Sequence, residues 1–190
     1  MENKMLIGQD ISHHNDYVDV NAGDFTILKA TEGQNYADPS FKNFVQQLNE
    51  EQLVGCYHFI RADVKRNDAY VEADNFVRRV IEAGLMYKSL LIVDYEAKSV
   101  GHEDYLLKFL EAVEIMTGLK PVVYCSCSVA KKLKKVKAKR YEFWIAHYDS
   151  KHLKDIEGRA NLMWQFTSSP WDFDVFMGSR DDWIKRTQKS

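Results

Sequence analysis

Short runs of β-branched and aromatic residues alternate along the chain with longer segments whose apolar positions recur at three- and four-residue spacing. That is the pattern of strands followed by amphipathic helices in a mostly parallel sheet. Eight runs read as strands: Met5–Ser12, Phe25–Thr31, Leu53–Ile60, Ser89–Glu96, Pro121–Ser126, Glu142–Tyr148, Asn161–Thr167 and Trp171–Phe176. Eight strands in βα order suggest a closed barrel. Helices are predicted over Pro39–Glu51, Asn67–Ala83 and His102–Thr117, where sets such as Phe41, Phe44, Val45 and Leu48 fall on one face. Asp38-Pro39 places a capping side chain before a first-turn proline, and Gly84 and Gly118 stand where helices end in left-handed geometry. A further short helix is expected within Ser128–Ala138. The connections between the last three strands, such as Ser168-Ser169-Pro170, are too short or irregular for full helices, so the barrel should be incomplete on one side.

Composition narrows the class. With 190 residues, 45% hydrophobic and 28% charged, the chain suits one domain, 1–190, with a sizeable core over about 5–178 and a short tail over 179–190. Lys and Arg total 26 against 28 Asp and Glu, so the basic excess of a nucleic-acid binder is missing. No apolar run approaches the roughly 20 residues that cross a bilayer, and no signal-peptide core follows Met1-Glu2-Asn3-Lys4, so synthesis in the cytoplasm without membrane insertion is expected. Cys56, Cys125 and Cys127 are an odd set best read as reduced, mostly buried thiols; Cys125-Ser126-Cys127 lacks the spacer of redox and zinc motifs. There is no phosphate-binding glycine loop.

The strongest chemical signal is where the carboxylates fall. Asp10, Glu32, Asp94 and Glu96, and Asp172 or Asp174, lie at or just past the ends of otherwise apolar strands. In a parallel barrel the C-terminal strand ends converge on one mouth, where active sites sit. Asp94 and Glu96 are two apart on one strand, which directs both to the same face with Cα atoms about 6.5–7 Å apart. Two carboxylates so close in a partly dry pocket repel, so one should hold its proton beside a charged partner. An acid beside a base or stabiliser suits cleavage of a glycosidic bond. Tyr57, Tyr124, Trp144, Tyr148, Trp164, Phe166 and Trp171 gather near the same ends, where flat rings with polar tips can form sugar subsites as well as core.

Metal chemistry is the competing reading, since Asp10, His13, His14, His58, Asp94 and Glu96 offer oxygen and nitrogen ligands, although HExxH or cysteine-rich spacing is missing. Adjacent His13 and His14 should point apart on a loop, and His58 reads as a satisfied core residue. The run of Lys131, Lys132, Lys134, Lys135, Lys137, Lys139 and Arg140 reads as a solvated helix face; attraction to an anionic wall polymer is the alternative.

Six motifs occur in the order found in a known family: Asp10-Ile11-Ser12-His13-His14, Lys29-Ala30-Thr31-Glu32-Gly33, Gly55-Cys56-Tyr57-His58-Phe59, Asp94-Tyr95-Glu96, Trp144-Ile145-Ala146-His147-Tyr148 and Trp164-Gln165-Phe166-Thr167. From about Ile7 to Gly178 the chain resembles the family 25 glycoside hydrolases, lysozymes of the N-acetylmuramidase kind that are often bacteriophage endolysins. The resemblance implies an α/β modified TIM-like barrel, (β/α)5(β)3, that cuts the β-1,4 bond between N-acetylmuramic acid and N-acetylglucosamine in peptidoglycan without a metal or organic cofactor.

It also implies roles. Glu96 would be the general acid, and Asp94 would orient the substrate's own N-acetyl carbonyl as nucleophile. Asp10 and Asp172 would be supporting carboxylates, and Tyr57, Tyr124, Trp144, Tyr148 and Gln165 substrate contacts. An inverting route, with Asp10 or Asp172 activating water, stays open. Two departures stand out: Asn15-Asp16 replaces the common Gln-Gly, and the closing Asp-x-Asn pattern reads Asp172-Phe173-Asp174, so that Asp174 adds a charge. No further wall-binding domain is expected after Gly178, and the phage-like setting implies release to the wall by a separate lysis factor. The rivals are a non-hydrolytic glycan-binding barrel and a metal-dependent barrel enzyme.

Overall fold

The computed structural model describes residues 5–15, 17–96, 102–148, 162–169 and 172–189. Nine strands form one sheet: β1 (Leu6–Ile11), β2 (Phe25–Glu32), β3 (Tyr36–Ala37), β4 (Leu53–Phe59), β5 (Ser89–Asp94), β6 (Val122–Ser126), β7 (Phe143–Ala146), β8 (Met163–Ser168) and β9 (Asp172–Phe176). Their order is β1-β9-β8-β7-β6-β5-β4-β2-β3, and β1 also pairs with β2. That extra pairing closes eight strands into a barrel, leaving the two-residue β3 as a hairpin on β2. All pairings around the barrel are parallel except the two that β9 makes with β1 and β8. The eight predicted strands are the eight barrel strands; Asn161 and Trp171, at the starts of the last two runs, lie outside the described residues.

Successive strand residues point inward and outward, and here both directions are apolar. Inward, Leu6, Phe25, Ile27, Leu53, Leu90, Ile92 and Val122 fill the barrel; outward, Leu28, Val54, Cys56, Leu91, Val93 and Val123 pack under the helices. The interior is tight enough to require glycine at position 8. Gly8 stands opposite Phe25, and a Cβ there would lie 2.3 Å from the Phe25 carbonyl oxygen and 2.5 Å from its ring. Gly8→Ala is expected to cost about 1–3 kcal/mol through overpacking, read as a lower denaturant midpoint; an unchanged midpoint would mean that the β1–β2 pair relaxes freely.

The helices are α1 (Phe41–Gln47), α2 (Ala69–Glu82), α3 (Glu103–Thr117), α4 (Cys127–Ala130), α5 (Lys134–Ala138) and α6 (Arg180–Thr187). Gly84 and Gly118 have φ of 71° and 73°, as expected of helix ends. Three expectations need correction. α1 starts at Phe41, later than Asp38-Pro39 suggests, with Ser40 at its boundary making no side-chain cap; Asp38 does take the Ser40 N–H on Oδ1 at 3.0 Å, while its Oδ2 is shared by the backbone N–H and ring Nδ1 of His13. α1 also stops before Glu51, because the Asn49 side chain takes the Glu51 N–H in a local turn. The helix expected within Ser128–Ala138 is split, since buried Leu133 has non-helical backbone angles.

The segment read as a tail contains α6. A capping box between Ser179 and Asp182 starts it. Trp183 is fully buried against Phe25 and Phe176, with ring centroids 4.8 and 5.1 Å away. Phe25 begins β2 and Phe176 ends antiparallel β9, so the indole fills the barrel at the N-terminal ends of its parallel strands.

Candidate active site

Toward the opposite end, the inner face turns polar. Asp10, Tyr57, Asp94, Tyr124 and Gln165 continue the inward-facing rows of β1, β4, β5, β6 and β8 beyond their apolar members, and Asp172 enters from β9. Together with Trp144 on β7, and with Glu96 and Tyr148 just past β5 and β7, they line one open cavity of about 210 Å³. The nine candidate site residues read from the sequence thus surround a single mouth.

Other candidates separate from it. Glu32 bonds the Lys29 ammonium at 2.7 Å and also pairs with Arg61, away from the cavity. Burial alone would raise its pKa, but these two cations carry it below the usual carboxylate range. His58 is a satisfied core residue, as expected: Nε2 meets buried Glu72 at 2.9 Å, Nδ1 meets Thr31 at 2.8 Å, and the ring stacks on Phe109. His13 and His14 do not point apart; their ring centroids are 3.8 Å apart, with His13 fixed by Asp38. Among the described residues, no three His, Cys, Asp or Glu side chains form a metal-binding group. Trp164 and Phe166 pack on the outer core, and Trp171 lies outside the described residues. Burial pushes the Cys56 and Cys125 thiols up to about 12, which removes their nucleophilic character at neutral pH. In the basic run, Lys135 pairs with Asp104, Lys139 with Glu111, and Lys137 lies over the Phe143 ring.

Electrostatically the cavity is dominated by its acids, and among the described residues none of Asp10, Asp94 and Asp174 forms an ion pair with a Lys or Arg. Burial, then the charge of Asp172, pushes Asp10 up to about 7 despite hydrogen bonds with Asp174 and Gln165 that favour its charged form. Burial, then repulsion from Glu96 and Asp10, raises Asp94 well above the carboxylate range. Its Oδ1 is buried without a hydrogen-bond partner among the described residues, whereas Glu96 stands exposed at the rim. The strand expected over Ser89–Glu96 ends at Asp94, so that of the two acids it is Asp94 that lies within the barrel and is affected by burial. Asp172 is raised by burial as well.

One hydrogen-bonded network spans the floor. Tyr124 and Tyr148 donate to Gln165 Oε1 at 2.8 and 2.5 Å, Gln165 Nε2 donates to Asp10 Oδ2 at 2.7 Å, and Trp144 Nε1 donates to Asp174 Oδ1 at 2.9 Å. Asp174, read from the sequence as an added charge, is fully buried, and burial followed by the nearby Asp10 charge raises its pKa well above the usual carboxylate range. Sequence reasoning also missed Lys29, the inward-facing cation whose charge opposes the upward shift of Asp94. Its alternation with Phe25 and Ile27 was the available signal.

The chain is 29% identical over 169 residues to the uncharacterized protein YegX of Escherichia coli K12, covering 83% of this chain and 61% of YegX. It is 29% identical over 150 residues to an autolytic lysozyme of Clostridium acetobutylicum, covering 74% and 44%. The match spans less than two thirds of either relative. In structure it is similar to a lysozyme from Streptomyces coelicolor (TM-score 0.77, 21% identity, 97% of each chain) and to a family 25 glycosyl hydrolase from Bacillus anthracis (0.78, 22%, 99% and 96%). It is also similar to the Cpl-1 endolysin, solved with a peptidoglycan analogue (0.70, 25%, 93% and 55%). The model of glycosyl hydrolases family 25 matches residues 9–174, a span running from β1 to β9 and holding every residue that lines the cavity, and the chain belongs to that family.

Proposed function

We propose that this chain is a lysozyme of the N-acetylmuramidase kind, hydrolysing the β-1,4 bond between N-acetylmuramic acid and N-acetylglucosamine in bacterial peptidoglycan. The observation that carries this reading is the unequal carboxyl pair at the end of β5: Asp94 on the strand, with an unpartnered oxygen, beside Glu96 just past it at the open rim. The family membership and the peptidoglycan analogue bound by the similar endolysin agree with it.

The geometry suggests how the pair works. Burial and mutual repulsion favour one proton between the two groups. Burial by itself favours the proton on Asp94. A substrate acetamido N–H donated to Asp94 Oδ1 supplies the missing hydrogen bond and favours the charged form there, leaving Glu96 as the member that keeps the proton. Glu96 then gives that proton to the glycosidic oxygen as its bond to C1 breaks, and the acetamido carbonyl oxygen closes on C1. Asp94 stabilises the positive charge of the resulting ring. Water, deprotonated by Glu96, opens the ring and restores the acid. Asp10 and Asp172 shape the field across the cavity, while Tyr57, Tyr124, Trp144, Tyr148 and Gln165 contact sugar.

The test is digestion of purified peptidoglycan, with and without EDTA, followed by borohydride reduction and mass spectrometry. Reduced muramic acid at the new ends, unaffected by EDTA, is the expected result. Retained sedimentation with the glycan but no new ends would instead identify a binding barrel, and loss of cleavage in EDTA would identify a metal-dependent enzyme. The wall is the proposed site of action. Any attraction of anionic wall polymers to Lys131–Arg140 would appear as salt-sensitive sedimentation.

A further inference from the structure

Asp174 occupies a place where an acid has no evident use. It is fully buried on the inner face of β9, opposite Gln165 of β8 and side-chain-less Gly8 of β1. Its Oδ1 accepts the Trp144 indole N–H at 2.9 Å. Its other oxygen, Oδ2, is equally buried and has no conventional donor among the described residues. The neighbour in hydrogen-bonding reach is another carboxyl, that of Asp10. Neither acid forms an ion pair with a Lys or Arg among the described residues. Two carboxyl groups in contact, buried and without a cation, cannot both be charged, so a proton lies between them.

The remaining bonds say which acid carries it. Asp10 Oδ2 already accepts Gln165 Nε2 at 2.7 Å, and Gln165 is held in that orientation because its Oε1 takes the hydroxyls of Tyr124 and Tyr148. Asp10 is thus equipped as an acceptor at the cavity wall. Asp174, deeper and already accepting from Trp144, has Oδ2 free to be the hydroxyl that donates to Asp10. We propose that Asp174 is a positioning residue: as a neutral acid bridging Trp144 and Asp10, it fixes the Asp10 carboxylate in the cavity. The inference rests on the hydrolase reading for its kinetic consequence, but the bridging proton itself does not depend on it.

The bridge has a direction in pH. Below the raised pKa of Asp174 the acid donates and Asp10 is held; above it, Asp174 becomes a second buried anion and repels Asp10. The titratable groups facing the pair are Asp172 on β9, Asp94 on β5, Tyr57 on β4, Tyr124 on β6 and Tyr148 after β7. Lys29 on β2 is the nearby cation, and its ammonium is engaged by Glu32. Asparagine at 174 is almost isosteric, accepts from Trp144 through its carbonyl and donates N–H to Asp10 at every pH.

The experiment compares wild type, Asp174→Asn and Asp174→Ala across pH on purified peptidoglycan, with carboxyl-carbon NMR titration of Asp-labelled protein. Asp174→Asn is expected to stay within about threefold of wild type at the optimum and to retain activity at alkaline pH where wild type declines. Asp174→Ala, checked for folding by its unfolding transition, should lose tenfold or more throughout. In NMR, Asp94 and a second aspartate resonance should titrate well above the carboxylate range, and the second should vanish in Asp174→Asn while that of Asp94 stays. Superimposed pH profiles for wild type and Asp174→Asn, or a folded Asp174→Asn as inactive as Asp174→Ala, would overturn the proposal. So would NMR in which Asp174→Asn removes no elevated aspartate resonance. If wild type cleaves nothing, the hydrolase reading fails, and the NMR result still decides whether the bridge exists.

Discussion

Glu96→Gln is expected to lower turnover on purified peptidoglycan by about 10²–10⁴-fold, the range supplied by a positioned general acid, while leaving folding and glycan retention intact. The reason lies in what the change removes. Glu96 is exposed at the cavity rim, and the amide keeps its size and most of its polarity, so little packing is disturbed. What is lost is the proton needed by the leaving oxygen, together with the charge that helps raise Asp94. Reducing-end release, thermal unfolding and sedimentation with peptidoglycan separate these effects. Undiminished release of reducing ends would place the acid elsewhere in the cavity; a lowered unfolding temperature equal to the loss of activity would make Glu96 a structural residue.

Trp183→Ala is expected to destabilise the fold by about 3–5 kcal/mol, the usual cost of truncating a large buried aromatic. Trp183 is fully buried between Phe25 and Phe176, and collapse of the surrounding barrel strands around the void is restrained by their ladders. For a domain of this length the loss corresponds to a fall of roughly 6–20 °C in Tm. The indole lies at the barrel end away from the cavity, so turnover per folded molecule should change little at temperatures where the variant remains native. Urea unfolding and activity on one sample test both parts. A midpoint within error of wild type would show that α6 adds little to barrel stability.

Much of this molecule was legible before folding because its signals are local. Apolar runs of strand length, separated by helical periodicity, specify βα order, and a carboxylate ending an apolar run is conspicuous wherever the chain later goes. Asp10, Asp94, Glu96 and one of Asp172 or Asp174 could therefore be assigned to one mouth from order and alternation, with the choice of Asp172 supplied by the family resemblance. The aromatic and amide candidates beside them owed more to family resemblance than to spacing.

What escaped were choices among partners distant in sequence. Asp38 had the signature of a helix cap, and one of its oxygens does take the Ser40 N–H, but the other is held by His13, 25 residues away. Glu32 carried the same strand-end signature as Asp94, yet Lys29 and Arg61 drew it from the cavity. The polar stretch around Trp183 offered a lone indole and no apolar stripe, and only the open end of a closed barrel gave that indole a place to bury. Asp174 is the sharpest instance: by residue type it is an anion, yet barrel closure buries it beside Asp10 and Trp144, which raises its pKa well above the usual carboxylate range. The sequence by itself determined the strand and helix order and the ring of acids. Only the tertiary structure decided which acids are paired, buried or protonated, since periodicity is a property of neighbouring residues while desolvation and charge pairing depend on what the closed barrel brings together.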